Sequence, residues 1–492
     1  MRRALWVGPA AALAVAAAMA LAAGGPAGGS QDGLRIGAQP GLVPAFDGGV
    51  SDYVSRCGRS RPLTLSVHAP SGQTVSVDGG SARSGDFNAK VALTAGQAVV
   101  VRASSAGQRT DYHIRCLPKG FPRWKATVTG TPQAQWYLVS PTGHYAAFFD
   151  AHGVPVWWKR TKDQPFNPTL LPDGNIAWYP LLGGRIGVSR DRDYEEHRLN
   201  GSFVRKLATV GPPTDIHEIV ELPNGHYLLD TYPTRGGVDL RPYGGPAKAK
   251  VFEGEVQEIT RSGRLVWKWS SRGRISVSET GHRWWRAIIA GQQSRPKSKR
   301  VYDTVHVNSM ALDGPTLIVS MRHDDALYGI DRRSGRIEWK LGGTRSAQSL
   351  DIVGDPQYAS TTFGGQHDVR VLSDGTVTVY DNSTDRNRRP RVVRYRIDTA
   401  ARTATLLEQL TDSRVKVSGW GGGARKLTGG DWVVAWGGDH WVTEMTESGA
   451  PVLSLKFPGR NCYRVDPVPP GRLSAASLRA AMDRMHPRKG RT

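Results

Sequence analysis

The chain has 492 residues, 39% hydrophobic and 22% charged, which excludes a disordered polymer and leaves room for more than one domain. Its formal charge of +22 comes from scattered Lys and Arg with one dense run at 283–300; no DNA- or RNA-binding motif accompanies it, so the expected partner is an anionic cell-envelope surface rather than nucleic acid. With 58 Gly, 31 Pro and 15 Trp, the composition favours turns and aromatic-packed strands, hence an all-β class.

Residues 1–22 have the layout of a signal peptide. Arg2 and Arg3 precede an apolar run from Ala4 that ends in Ala20-Leu21-Ala22, a small-x-small cleavage site; the alternative is a retained anchor. A Gly/Pro-rich linker is expected over 23–45. Short alternating runs over 46–118 (LTLSVHA, QTVSVDG, AVVVRAS, DYHIRC) have the spacing of a small β-sandwich. Cys57 and Cys116 close two similar phrases, DYVSRC and DYHIRC, and are read as a disulfide with Cys462 free.

From 119 to 460 a repeat recurs. Its first half is an apolar strand closing on a Gly turn, as in TLLPDGNIAWY, EIVELPNGHYLLD, SMALDGPTLIVS, VRVLSDGTVTVYD and ARKLTGGDWVVAW. Its second half is a hairpin such as EITRSGRLVWKW or GIDRRSGRIEWKL. Six such units of four strands predict a six-bladed β-propeller after the sandwich. The tail, 461–492, should leave the propeller at 467–470 and end in a short helix with Ser474 as its N-cap.

Aligning the units on Gly174, Gly225, Gly314, Gly375 and Gly430 places Phe166, His217, His306, His367 and Gly422 at one position, eight residues earlier. Three histidines at the same phase of consecutive blades converge on one channel mouth, where ligands gather. Strand alternation adds Asn308 to the face of His306 and aims His323 away, while Arg322 lies one strand over. Asp215, Glu218 and Asp368 flank the histidines, either to orient them or to cap turns. The constellation lacks a glycosidase acid pair and a nucleophile elbow. Neutral imidazoles beside a guanidinium suit transfer of a sulfuryl or phosphoryl group through a histidine.

The phrases DIHEIVELPNGHYLL, HVNSMALDGPTLIVSMRHDDALYGID and GGQHDVRVLSDGTVTVYDN resemble the arylsulfotransferases, sulfotransferases of bacterial envelopes that work without PAPS, from about Phe121 to Pro458. The preceding sandwich is similar to that of the family's Gram-positive-type members. The resemblance implies a six-bladed propeller and ping-pong transfer of a sulfuryl group from an aryl sulfate to a phenol. It assigns His367 as the residue that becomes sulfated, His217 and His306 as its assistants in binding and proton transfer, and Asn308 and Arg322 as the grip on the sulfuryl oxygens. It calls for no cofactor and no metal. The insertion 272–300, with Trp284-Trp285, departs from the pattern and is read as a lid, a homodimer contact or a loop. Two alternatives stay open: three histidines holding a divalent ion in a propeller lyase or hydrolase, and a non-catalytic propeller that binds extracellular ligands.

Overall fold

The computed structural model describes residues 33–182, 192–357 and 363–488. The expected signal segment lies outside them. The described residues are all-β, with two α-helices among them: α1, His282–Gln293, and α2, Ala475–Met485. Neither is long and apolar enough to cross a membrane.

Two sheets form the N-terminal unit. One has three strands, Arg35–Gln39, Leu63–Ala69 and Gly85–Val91. The other has five, including Asp52–Ser55 and Gln108–Cys116. Alternate residues of both, among them Leu65, Val67, Val75, Val99 and Val101, make one buried core, as expected of strands with one face in and one face out. The linker expectation needs correction at its end. Leu34 and Ile36 have an apolar face to bury, and residues Arg35–Gln39 pair antiparallel with Leu63–Ala69 inside this unit. The two Cys-bearing phrases are parallel neighbours, with Ser55 opposite Cys116, and Cys57 is bonded to Cys116. Cys462 is buried and free, with its thiol pushed up by burial. The bond closes a loop of 59 residues, so replacing both cysteines by Ser should cost the unit about 3–4 kcal/mol, read as a lower unfolding midpoint.

Among the described residues seven further sheets follow: a three-stranded one, Thr234–Val238, Ala249–Phe252 and Tyr302–Asp303, and six of four or five strands each. Their first strands are Gln164–Leu170, Thr214–Glu221, Val307–Asp313, His367–Val371 and Gly423–Lys426, with Cys462–Val468 in that place in the sixth. Each first strand packs on the next, and Cys462–Val468 touches both Gly423–Lys426 and Gln164–Leu170, which completes the round. Two of the sheets join distant parts of the chain. Cys462–Val468 pairs with Trp136–Pro141, and Lys125–Val128 with Pro451–Lys456. The first pairing corrects the boundary drawn at 460/461: Tyr463, Val465 and Val468 are buried, an apolar strand of that length belongs in a sheet, and the strand ends at Val468, within the expected point of departure at 467–470. The tail helix is as expected. Ser474 caps α2 by accepting the Ser477 N–H at 3.1 Å, and Leu478, Ala481 and Met482 are buried on one face.

Candidate active site

The first strands are irregular where the histidines sit. Pairing registers break between Thr214 and Ile219, Val307 and Ser309, and His367 and Arg370. His306 and Asp368 take left-handed backbone angles, φ 54° and 59°. Bulges of this kind re-aim side chains, and simple alternation therefore fails here. Asn308 is fully buried; its amide donates to the Gln366 carbonyl at 2.7 Å and its Oδ1 accepts from Ser309. It braces the residue before His367 from the neighbouring sheet.

The histidines are buried and each is held by Nδ1. His217 contacts Asp215 and His306 contacts Asp303 through that nitrogen, and their rings lie 4.9 Å apart. His367 Nδ1 faces the Gly365 carbonyl at 2.9 Å and Asn382 Oδ1 at 2.7 Å. Asn382 in turn donates from Nδ2 to the Gly421 carbonyl at 2.8 Å and Ser418 Oγ at 3.1 Å, which fixes Oδ1 towards the histidine. Two acceptors at Nδ1 require a proton there. The lone pair of a neutral His367 is thus on Nε2, which also receives the Gly421 N–H at 3.3 Å. Gly364 and Gly365 make this approach feasible: a side chain on Gly364 would meet the Ser383 backbone at 2.6 Å, and Gly365 has φ 67°.

Burial holds all three imidazoles neutral at pH 7. It pushes the His217 pKa down to about 4 and lowers those of His306 and His367, with the Arg322 charge acting in the same direction. The unfolded chain binds a proton at His217 near pH 6.5 and the folded chain only near 4. Stability on this account is fully present above pH 6.5 and falls by about 3 kcal/mol as pH drops to 4, measurable as a falling unfolding midpoint.

His323, which alternation aims away, belongs to the cluster because the strand ends at Met321 and Arg322-His323 lie on the turn. His323 donates from Nδ1 to the Asp303 carbonyl at 2.8 Å and accepts from Arg322 at Nε2, 2.9 Å; a guanidinium can only donate, which sets this tautomer. Arg322 is half-buried. Its other bond is to the Gly419 carbonyl, 3.0 Å, and its guanidinium lies 4.2 Å over the Trp284 ring. No carboxylate is among these partners, so its charge stays available to an anion, although burial and nearby Arg283 lower its pKa to about 10. Trp284 comes from α1, in the insertion 272–300. Trp284 Nε1 donates to Asp325, which also binds Arg283, Arg386 and the Gly365 N–H. Trp285 stacks on Tyr243 at 4.1 Å. The insertion is therefore an ordered wall of the site.

Tyr463 stands between His217 and His367, with ring distances of 6.1 and 6.3 Å, and stacks on Phe166 at 4.4 Å. Below, Glu218 binds Arg370 and Arg464 at 2.8 and 2.9 Å, and Asp368 binds Arg370, Arg425 and Arg464. Of the three flanking carboxylates, then, Asp215 orients a histidine, while Glu218 and Asp368 build an ionic floor. Among the described residues, two groups of side chains could converge on a metal ion: Asp303 with His306 and His323, and Asp215 with His217 and Asp230. Neither contains His367, and the first has Arg322 hydrogen-bonded to one of its members, an unfavourable neighbour for a cation.

Solved structures with low likeness include a protein of unknown function from Bacteroides caccae, 11% identical, covering 68% of this chain and 99% of that one, TM-score 0.41. Others are the β-propeller domain of Cps50 (Swd1) from Myceliophteria thermophila (12%, 68% and 90%, TM-score 0.32) and a streptogramin B lyase (8%, 74% and 91%, TM-score 0.33). No curated protein matches. The profile of the arylsulfotransferase (ASST) family matches residues 198–458, just over half of the chain and the part that carries all three channel histidines, Asn308 and Arg322. The chain belongs to the arylsulfotransferase family.

Proposed function

We propose that the six sheets are the blades of a β-propeller and that the chain moves a sulfuryl group from an aryl sulfate to a phenol through a sulfated His367. Family membership supports sulfotransferase activity in general. The observation that carries the finer reading is the fixed tautomer of His367, whose Nδ1 is engaged by Gly365 and Asn382 and whose lone pair is on Nε2.

In the first half-reaction, the Nε2 lone pair forms a bond to sulfur while the sulfur–oxygen bond to the aryl group breaks and a phenolate departs. Arg322 and the Gly421 N–H are the donors for the sulfuryl oxygens in transit. The sulfated ring keeps its Nδ1 proton and becomes cationic, and the Gly365 and Asn382 acceptors favour that charge. In the second half-reaction an acceptor phenol loses its proton to Nε2 of His217 or His306, and its oxygen takes the sulfuryl group from His367. The resulting imidazolium is stabilised by Asp215 or Asp303 and returns the proton to the next departing phenolate. Asn308 acts in this scheme by holding Gln366, and so the backbone leading to His367.

The direct test uses 4-nitrophenyl sulfate with and without a naphthol. With donor alone, one equivalent of nitrophenolate should appear in a burst and acid-labile sulfate should remain on the protein. Steady turnover without acceptor, or release with no protein-bound sulfate, would overturn the scheme. The acid limb of kcat/KM should lie below the ordinary histidine value, since burial lowers the pKa of all three imidazoles. Trp284→Ala should lower kcat/KM by about 10- to 100-fold by loosening Arg322, with Trp284→Phe recovering most of it. The leader-like segment 1–22 and the Cys57–Cys116 bond support export to an oxidising compartment.

A further inference from the structure

The first strands have two ends, and the histidines occupy one. At the other end lies a cavity of about 490 Å³ to which five of the six sheets and the C-terminal segment contribute. The ionic floor separates it from the histidines, since Glu218 and Arg370 belong to both.

Its walls are mixed in a particular way. Leu171, Val220, Leu312 and Val371 supply apolar surface. Arg370, Arg425 and Arg472 bring guanidiniums to it, and Arg472, exposed at the rim, donates to the Leu170 carbonyl at 3.2 Å. The one acid of the rim, Glu221, is already paired with Arg261 at 2.8 Å. The floor itself sets Arg370, Arg425 and Arg464 against Glu218 and Asp368, and Arg472, outside the floor, has Asp466 near it, a carboxyl it shares with Arg425 and Arg370; four guanidiniums against three carboxyls leave one positive charge uncompensated. A concave apolar chamber of this size with a few convergent polar groups is the usual form of a small-molecule site, and an uncompensated guanidinium at its edge selects for an anion.

We propose that this chamber is a second binding site, distinct from the histidine centre, for a small amphiphilic anion: an aromatic or aliphatic body in the chamber with one sulfonate, sulfate or carboxylate on Arg472 and Arg425. The site borders the catalytic centre through sequence as well as space. Glu218 and Asp368 directly follow His217 and His367.

The test is titration of the full chain with 8-anilinonaphthalene-1-sulfonate, followed by fluorescence and calorimetry. Its sulfur is bonded to carbon and cannot be transferred, so the result is independent of the sulfotransferase reading, which would fail separately by absence of turnover. Saturable binding is expected at one site that Arg322→Leu leaves intact. Arg472→Glu and Val220→Asp, with unfolding midpoints checked to be unchanged, should weaken it at least tenfold, and Arg472→Glu should retain the wild-type kcat. Absence of saturable binding, loss of the site in Arg322→Leu, or wild-type affinity in both chamber variants would each overturn the proposal.

Discussion

His367→Asn should lose at least about 10⁴-fold in kcat, with no burst of phenol and no protein-bound sulfate, while the unfolding midpoint stays within a few degrees of wild type. The size follows from the role. Removing a nucleophile removes the covalent route, whereas removing a group that assists it leaves the route slower. His217→Asn and His306→Asn should accordingly keep the burst at reduced rate and slow the transfer to acceptor by about 10²- to 10⁴-fold, the usual worth of acid–base assistance. A more selective check is Asn382→Asp. A carboxylate at Nδ1 would favour the imidazolium more strongly than the neutral Asn382 amide does, so the acid limb of the rate profile should move upward. A His367→Asn protein that turned over at the wild-type rate would sink the assignment.

Arg322→Leu is the second large effect expected, about 10³-fold in kcat/KM for aryl sulfates. Arg322→Lys should recover little of it. The guanidinium is fixed by two bonds of defined direction, to His323 Nε2 and the Gly419 carbonyl, and by the face of Trp284; an ammonium cannot reproduce that planar fork. His323→Gln, which offers an acceptor in place of Nε2, should fall between wild type and Arg322→Lys. Such an ordering separates a positioning role for His323 from a merely structural one. Equal activity of Arg322→Leu and wild type would remove the guanidinium from the reaction.

Much of this arrangement was legible in the sequence because repeats report register. Three histidines eight residues before a turn glycine could be aligned without any structure, and the half-repeats SMALDGPTLIVS and GIDRRSGRIEWKL fall on the four strands of one sheet. What could not be read fell into two kinds. Local backbone irregularity hid His323 and the turn of Asn308 towards Gln366, because alternation holds only where a strand is regular. Long-range closure hid Tyr463 and Arg464, which reach the centre from another sheet and carry no motif of their own, while Asn382, at the end of the strand beside His367 in the same sheet, closed one of the quoted phrases without a role being read for it. Trp284 lay in a stretch that departs from the repeat, and its helix gave no sign of which wall it would form.

The strand Cys462–Val468 has a consequence for when the enzyme exists. Tyr463 and Arg464 lie on a strand that follows every other strand of the six sheets in the chain, yet the Tyr463 ring faces those of His217 and His367 and Arg464 binds Glu218. Contacts between residues so far apart in sequence close late in folding. A nascent chain, or one truncated before 462, would hold its three histidines without the floor and ring that set their geometry. The geometry of the site is thus completed only when Cys462–Val468 docks between Gly423–Lys426 and Gln164–Leu170.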